Sequence, residues 1–320
     1  MHEFPQPPKD SMNVYIEDTD KSLSEKLDPN TRYAFFKTLT KGGKSVIKSC
    51  KDLHLNRVVC YKTLRPEFAD DDIEQRRLLR EARVSAMLQH PNTIPVHEIG
   101  RDRQGRYYFT MKLVYGYTLR EILDYRDRYD LTQMMDVIEQ VGQALSYAHT
   151  HGVAHRDIKP ENILVGPFGE VVLMDWGLAK VWSKDGSTTE EEIEQTEISD
   201  ADDSMTGKGK LQGTVSYMSP EQIERDPDIG FSTDIYSLGC VLYEILAGQT
   251  PFTGELVHEV LDAIKSEIPA KPSQLTRIRV PRMLEEVSMA CLGKEPKQRP
   301  KSMAAMMRSM QSWESSFRQY

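Results

Sequence analysis

Residues 155–162 read HRDIKPEN, and residues 171–177 read VVLMDWG. The first stretch follows an amphipathic pattern in which Met134, Ile138, Val141, Leu145 and Ala148 recur at helical spacing, so it is a polar loop after a helix. The second is a β-branched run ending on an acid and then a glycine, a pattern that delivers Asp175 from a strand to the edge of a cleft. Asp157, Lys159 and Asn162 lie within one tight loop, and Asp175 follows closely. Two acids and an amide suit phosphoryl transfer, which is mostly positioning and charge neutralisation. One Asp orients a hydroxyl and accepts its proton, while oxygen ligands hold hard Mg²⁺ ions.

Working outward, the region from Tyr33 to about Leu113 is a series of short β-type runs (YAFFKTL, SVIKSC, RVVCYKTL, RYYFTMKLV) interrupted by one helical stretch, DDIEQRRLLREARVSAMLQH. Beyond it helices prevail, and TDIYSLGCVLYEILAG is apolar nearly all round, as a central buried helix would be. Residues 1–32 are polar and Pro-bearing without periodicity and read as a flexible extension. The chain has 320 residues, 39% hydrophobic, enough for one large core or two modest ones. No apolar run approaches the ~18 residues of a membrane span, so no membrane segment is expected in this chain. Four scattered cysteines argue against a zinc site or a disulfide scaffold and for a cytoplasmic location. The net charge of −8 is concentrated between Asp185 and Asp203, leaving no basic face for nucleic acid, which is not expected as a partner.

With these motifs in family order, the chain resembles a eukaryotic-type (Hanks-type) serine/threonine protein kinase of the bacterial branch, over about residues 33–316. DWG stands where that family usually has DFG, and GTVSYMSPEQ and STDIYSLGCVLYEIL are close to bacterial wording. The resemblance implies an α+β bilobal fold: a small β-rich N-lobe with one helix (33–114), a larger, mainly helical C-lobe (115–316) with an acidic activation loop at about 178–212, and a tail at 317–320. It implies ATP and Mg²⁺ (or Mn²⁺) as cofactors, and protein substrates phosphorylated on Ser or Thr. Dimerisation through the N-lobe, giving a homodimer, is a further family expectation.

Carried over residue by residue, the resemblance makes Asp157 the catalytic base and has Lys159 steady the transferred phosphoryl group. Asn162 and Asp175 become the metal ligands. Lys62, ending VVCYK, would hold the α/β-phosphates, with Glu81 as its ion-pair partner. Read by itself, Glu81 could equally be a solvated charge among Arg76, Arg77 and Arg80. Cys60 would cover the adenine, Met111 would be the gatekeeper and Lys112, Leu113 and Val114 the hinge, with Ile47 and Leu164 completing the nucleotide pocket. Glu221 in SPE with Arg299, and Asp234 beneath the catalytic loop, take scaffold roles, and Thr214 is expected near Asp157 and Lys159. Arg156 would bind a phosphate on the activation loop, on Thr206 first and Ser204 second.

The family's glycine-rich loop aligns with LTKGGKSVIK, residues 39–48, where Thr40 and Ser45 replace two glycines and Gly42 and Gly43 remain. A residue forced to positive φ in place of glycine costs about 1–2 kcal/mol, so weakened nucleotide binding is expected, with Lys44 adding a charge contact to the nucleotide. Two alternatives stay open: a pseudokinase or scaffold module with a decayed loop, and a small-molecule kinase, which would lack the GTVSYMSPEQ segment.

Overall fold

The structure is a computed structural model that describes residues 31–125, 130–182, 215–311 and 313. Its N-terminal part is an antiparallel sheet of β1 (Tyr33–Lys41), β2 (Ser45–Asp52), β3 (Arg57–Leu64), β4 (Val96–Arg101) and β5 (Tyr107–Lys112), in the order β1-β2-β3-β5-β4. Helix α1 (Asp72–Met87) packs on this sheet. It starts where the Asp71 carboxylate accepts the backbone N–H groups of Ile73 and Glu74, satisfying donors that a helix start leaves without partners. Its buried side includes Leu78, Ala82 and Val84, and also Glu74 and Glu81.

Register across the sheet sets the side chains of the cleft. On β3, Cys60 faces Met111 and Lys62 faces Phe109 on β5, while Lys62 faces Ile47 on β2. Cys60, Leu78, Phe109 and Met111 form an apolar cluster together with Val172, which comes from the helical half of the chain. A parallel bridge between Thr93 and Leu173 makes the same junction.

The remainder is mainly helical. After β6 (Tyr117–Thr118) come α2 (Leu119–Leu123), α3 (Leu131–Thr150), β7 (Val153–Ala154), β8 (Ile163–Val165), β9 (Val171–Leu173) and β10 (Lys180–Val181). Then follow α4 (Pro220–Ile223), α5 (Ser232–Ala247), α6 (Val257–Ser266), α7 (Pro272–Leu275), α8 (Arg282–Cys291) and α9 (Met303–Met310). Fifteen of the sixteen α5 residues are buried, in keeping with its apolar sequence. Gly239 lets α8 approach closely, since a Cβ there would lie 2.3 Å from the Cys291 Cβ. The helix ends at Gly248, whose φ of 81° closes it in a left-handed turn.

Glu221 in α4 and Arg299 are buried together, with the guanidinium donating to the carboxylate at 2.6 and 2.7 Å. Arg299 also donates to the carbonyls of Gly293, Lys294 and Ser232. Removing one member of a buried pair strands the other charge, which typically costs about 3–5 kcal/mol. Arg299→Met is therefore expected to lower the Tm by several degrees or more, and a thermal melt within one degree of wild type would refute this role.

Candidate active site

The loop at 155–162 is held from below. The Asp234 carboxylate, at the start of α5, accepts the backbone N–H of His155 at 2.8 Å and of Arg156 at 2.9 Å. The His149 Nε2 lies 2.8 Å from the same carboxylate. Burial works against this charge, but the hydrogen bonds from His149 and the Arg156 backbone hold its pKa below the usual carboxylate range. Arg156 takes a φ of 65°, a conformation non-glycine residues reach only at a cost, and its guanidinium Nε donates to the Leu178 carbonyl at 2.7 Å. The Gln222 side chain donates to the Arg156 carbonyl at 2.7 Å, tying the SPEQ segment to the loop.

His155 joins the loop to the strand that carries Asp175. Its Nε2 lies 2.9 Å from the Met174 carbonyl, and its Nδ1 accepts the Asp157 N–H at 3.2 Å, which sets the proton on Nε2. Trp176 is fully buried with its ring 4.5 Å from the His155 ring, so it packs. Asp175 itself has a φ of 64°.

Five of the charged side chains expected from the sequence interact with one another. The Lys159 ammonium donates to both oxygens of Asp157, at 2.9 and 2.8 Å, and the Asn162 amide donates to the same carboxylate at 2.9 Å. Burial raises the pKa of Asp157, opposed by Lys159. Lys62 donates to both oxygens of Glu81 at 2.6 Å. Glu81 is thus a buried partner, and the solvated-surface alternative is excluded by its 7% exposure. Lys62 in turn holds Asp175 below the ordinary carboxylate range although burial opposes it. Burial lowers the pKa of Lys62, but Glu81 and Asp175 outweigh it and keep the lysine protonated.

The donor set fits a divalent cation bound together with a polyphosphate. Asp175 is ionised, and Asn162 commits its amide nitrogen to the Asp157 carbonyl and carboxylate, leaving the amide oxygen as the ligand atom. Among the described residues no group of three or more His, Cys, Asp or Glu could hold a metal, so a divalent ion here would take its remaining ligands from water and phosphate oxygens.

Where the resemblance places the adenine, Cys60 and Met111 are buried, with Ile47, Leu113, Val114 and Met174 packed against the same cluster. Burial pushes the Cys60 thiol up to about 12, so it acts as an apolar surface. Leu164 is half-buried on β8, opposite Val172. The exposed Lys112 already donates its N–H to the Pro95 carbonyl at 2.9 Å.

The 39–48 stretch forms the β1–β2 hairpin, closed by the Gly42 N–H on the Ser45 carbonyl at 2.9 Å. Thr40, opposite Ile47, and Ser45 are absent from the positive-φ residues, so replacing glycine there brings no backbone strain. A Cβ at Gly43 would meet nothing within 4 Å. Lys44, expected to add a charge contact to the nucleotide, has its ammonium 2.8 Å from Glu74 Oε1 on helix α1. Thr206, Ser204 and Thr214 lie outside the described residues.

Several contacts had no signal in the sequence. Asn92 donates to the Val171 carbonyl at 2.8 Å and to the Gln140 side chain at 2.9 Å, and its own carbonyl accepts the Leu173 N–H. Arg120 on α2 pairs with Glu161 in the catalytic loop, with Glu244 on α5 and with the Tyr217 hydroxyl. His149 beneath Asp234 is a third case.

The family model described as "Protein kinase domain" matches residues 33–311, and the chain belongs to that family. It is similar to the serine/threonine-protein kinase PknD of Chlamydia caviae, 31% identical over 294 residues, covering 86% of this chain and 30% of that protein. PknD of Protochlamydia amoebophila is 34% identical over 297 residues, covering 88% and 30%. PknB of Mycobacterium tuberculosis is 34% identical over 278 residues, covering 86% and 42%. The chain thus spans about a third of the length of these curated relatives. Among the described residues no helix is long and apolar enough to cross a membrane.

Burial pushes Glu81 up to about 7, from an ordinary value of 4.5, against the pull of Lys62. Between those two pH values the folded state keeps a proton that the unfolded chain has lost, so this group's contribution to stability declines as pH rises and is gone above about 7. Glu81→Gln lacks that proton. Its Tm relative to wild type is expected to rise from pH 5 to pH 8, and a constant difference across that range would refute the raised value.

Proposed function

We propose that this chain transfers the γ-phosphate of ATP to Ser and Thr hydroxyls of proteins. The observation that carries the reading is the buried ion pair between Lys62 and Glu81, formed beside an ionised Asp175 and within reach of the Asp157–Lys159–Asn162 cluster. Asp157 orients the incoming hydroxyl and accepts its proton, a task its raised pKa suits. Lys159, already bonded to Asp157, offsets the charge of the group in transit. Lys62 binds the α- and β-phosphates and is held there by Glu81. Asp175 and Asn162 supply oxygens to Mg²⁺ or Mn²⁺, which neutralises the phosphates when bound. The adenine lies between Ile47, Cys60 and Leu164 and beside Met111, with base contacts falling to the Lys112 carbonyl and the Leu113–Val114 backbone. Thr40, Gly42, Gly43 and Ser45 cover the phosphates.

The pseudokinase alternative is not favoured, because Lys62, Asp157, Asn162 and Asp175 are all present. The attachment of SPEQ to the catalytic loop through Gln222 supports a wall for a peptide and thus a protein substrate over a small molecule. The four free, buried cysteines fit a reducing cytoplasm.

Incubated with labelled ATP and Mg²⁺, wild type should label itself and a generic basic protein, while Asp157→Asn should lose at least about a hundredfold of the rate. Equal labelling by the variant would trace the activity to a contaminant, and nucleotide binding with no transfer by either would make this a scaffold module. The same reading includes autophosphorylation at Thr206 and then Ser204, with Arg156 receiving the phosphate. Mass spectrometry after incubation should find phosphate there, and a loop free of it between Lys184 and Lys208 would dispose of the idea.

A further inference from the structure

The tip of the β1–β2 hairpin is Gly42-Gly43, the residue type that retains the most backbone freedom, and a loop built this way closes over a ligand at an entropic cost. The residue that follows is anchored. Lys44 Nζ lies 2.8 Å from Glu74 Oε1 in the first turn of α1, and Glu74 is largely buried, its side chain 8% exposed. Arg77, one turn along α1, places its guanidinium 2.8 Å from the same oxygen. The segment leaving β3 grips the tip as well: the Arg65 N–H donates to the Lys44 carbonyl at 2.9 Å and its guanidinium to the Gly43 carbonyl at 3.0 Å.

Glu74 and Glu81 are seven residues apart on α1, two turns and about 10 Å along one side of the helix. That side therefore holds two lysines of the sheet: Lys62 through Glu81 and Lys44 through Glu74. We infer that Lys44 and Glu74 are positioning residues for nucleotide binding, a clasp that fixes the glycine hairpin to the helix carrying Glu81. Docking of α1 and closure of the hairpin then occur together, and the clasp lowers the freedom of a Gly-Gly tip before the nucleotide arrives. Lys44 stays on the helix and does not contact phosphate. The inference rests on the proposed ATP binding, but the state of the clasp is measurable without it.

The test uses Lys44→Met, Glu74→Gln and the double variant, with amide hydrogen exchange at residues 40–46 in the nucleotide-free protein and binding of Mg·ATP by calorimetry. Each single variant is expected to speed hairpin exchange and weaken Mg·ATP binding about 2- to 5-fold, the range of a partly exposed ion pair. The double variant should bind no more weakly than Glu74→Gln alone, because the Lys44 contact is already lost there, together with that of Arg77. The KM for ATP should rise alongside, with kcat and the KM for a peptide within about twofold, a split that general loosening would not produce. Unchanged hairpin exchange overturns the clasp whatever the enzyme does. Weakened binding in Lys44→Met but not in Glu74→Gln also overturns it, since Lys44 would then contact the nucleotide directly. If exchange and binding respond while wild type transfers no phosphate, the clasp stands and the proposed catalytic function fails.

Discussion

The geometry of the cleft depends on one buried carboxylate. Asp234 accepts two consecutive backbone N–H groups, of His155 and Arg156, and thereby holds Arg156 in the left-handed region. That conformation costs about 1–2 kcal/mol for a non-glycine residue, and charge-assisted hydrogen bonds in a buried site are strong enough to offset it. The sharp turn that results directs Asp157 toward Lys159 and Asn162 and puts the Arg156 carbonyl within reach of Gln222. Without α5 as a rigid base the carboxylate would have no fixed position, and α5 is rigid because it is packed on all sides.

From this base the charges alternate. Glu81, Lys62, Asp175, Lys159 and Asp157 form a series in which each acid is flanked by a base, so groups that would be costly to bury singly are tolerated together. The series is polarised for its proposed task. Asp175 is pulled down into the ionised form that a metal ion needs, while Asp157 is pushed up toward the range in which a carboxylate accepts a proton readily. Two acids in one loop system thus acquire different properties from their neighbours.

Legibility followed the kind of interaction. Asp157, Asn162 and Asp175 were readable because the residues around each form a local pattern: a polar loop after an amphipathic helix, and a β-branched strand ending on Asp-x-Gly. Glu81 was readable only through family resemblance, since its neighbours Arg76, Arg77 and Arg80 suit a solvated helix equally well. The ion pair of Lys44 with Glu74, thirty residues away, left no local sign, and its place on a phosphate loop suggested only a phosphate contact. Arg120 and Glu244 are 124 residues apart, and His149 and Asp234 are 85 apart, so neither pair leaves a trace in any local window.

The sequence by itself determined the family, the antiparallel sheet with one helix followed by a helical half, and the chemical types present in the cleft. These follow from periodicity, strand composition and motif order, which are properties of neighbouring residues. Tertiary structure decided which carboxylate meets which cation, how far burial moves each pKa and which backbone turns are held against their preferences. Those depend on distance and desolvation, and both are set only when segments remote in the chain are packed together.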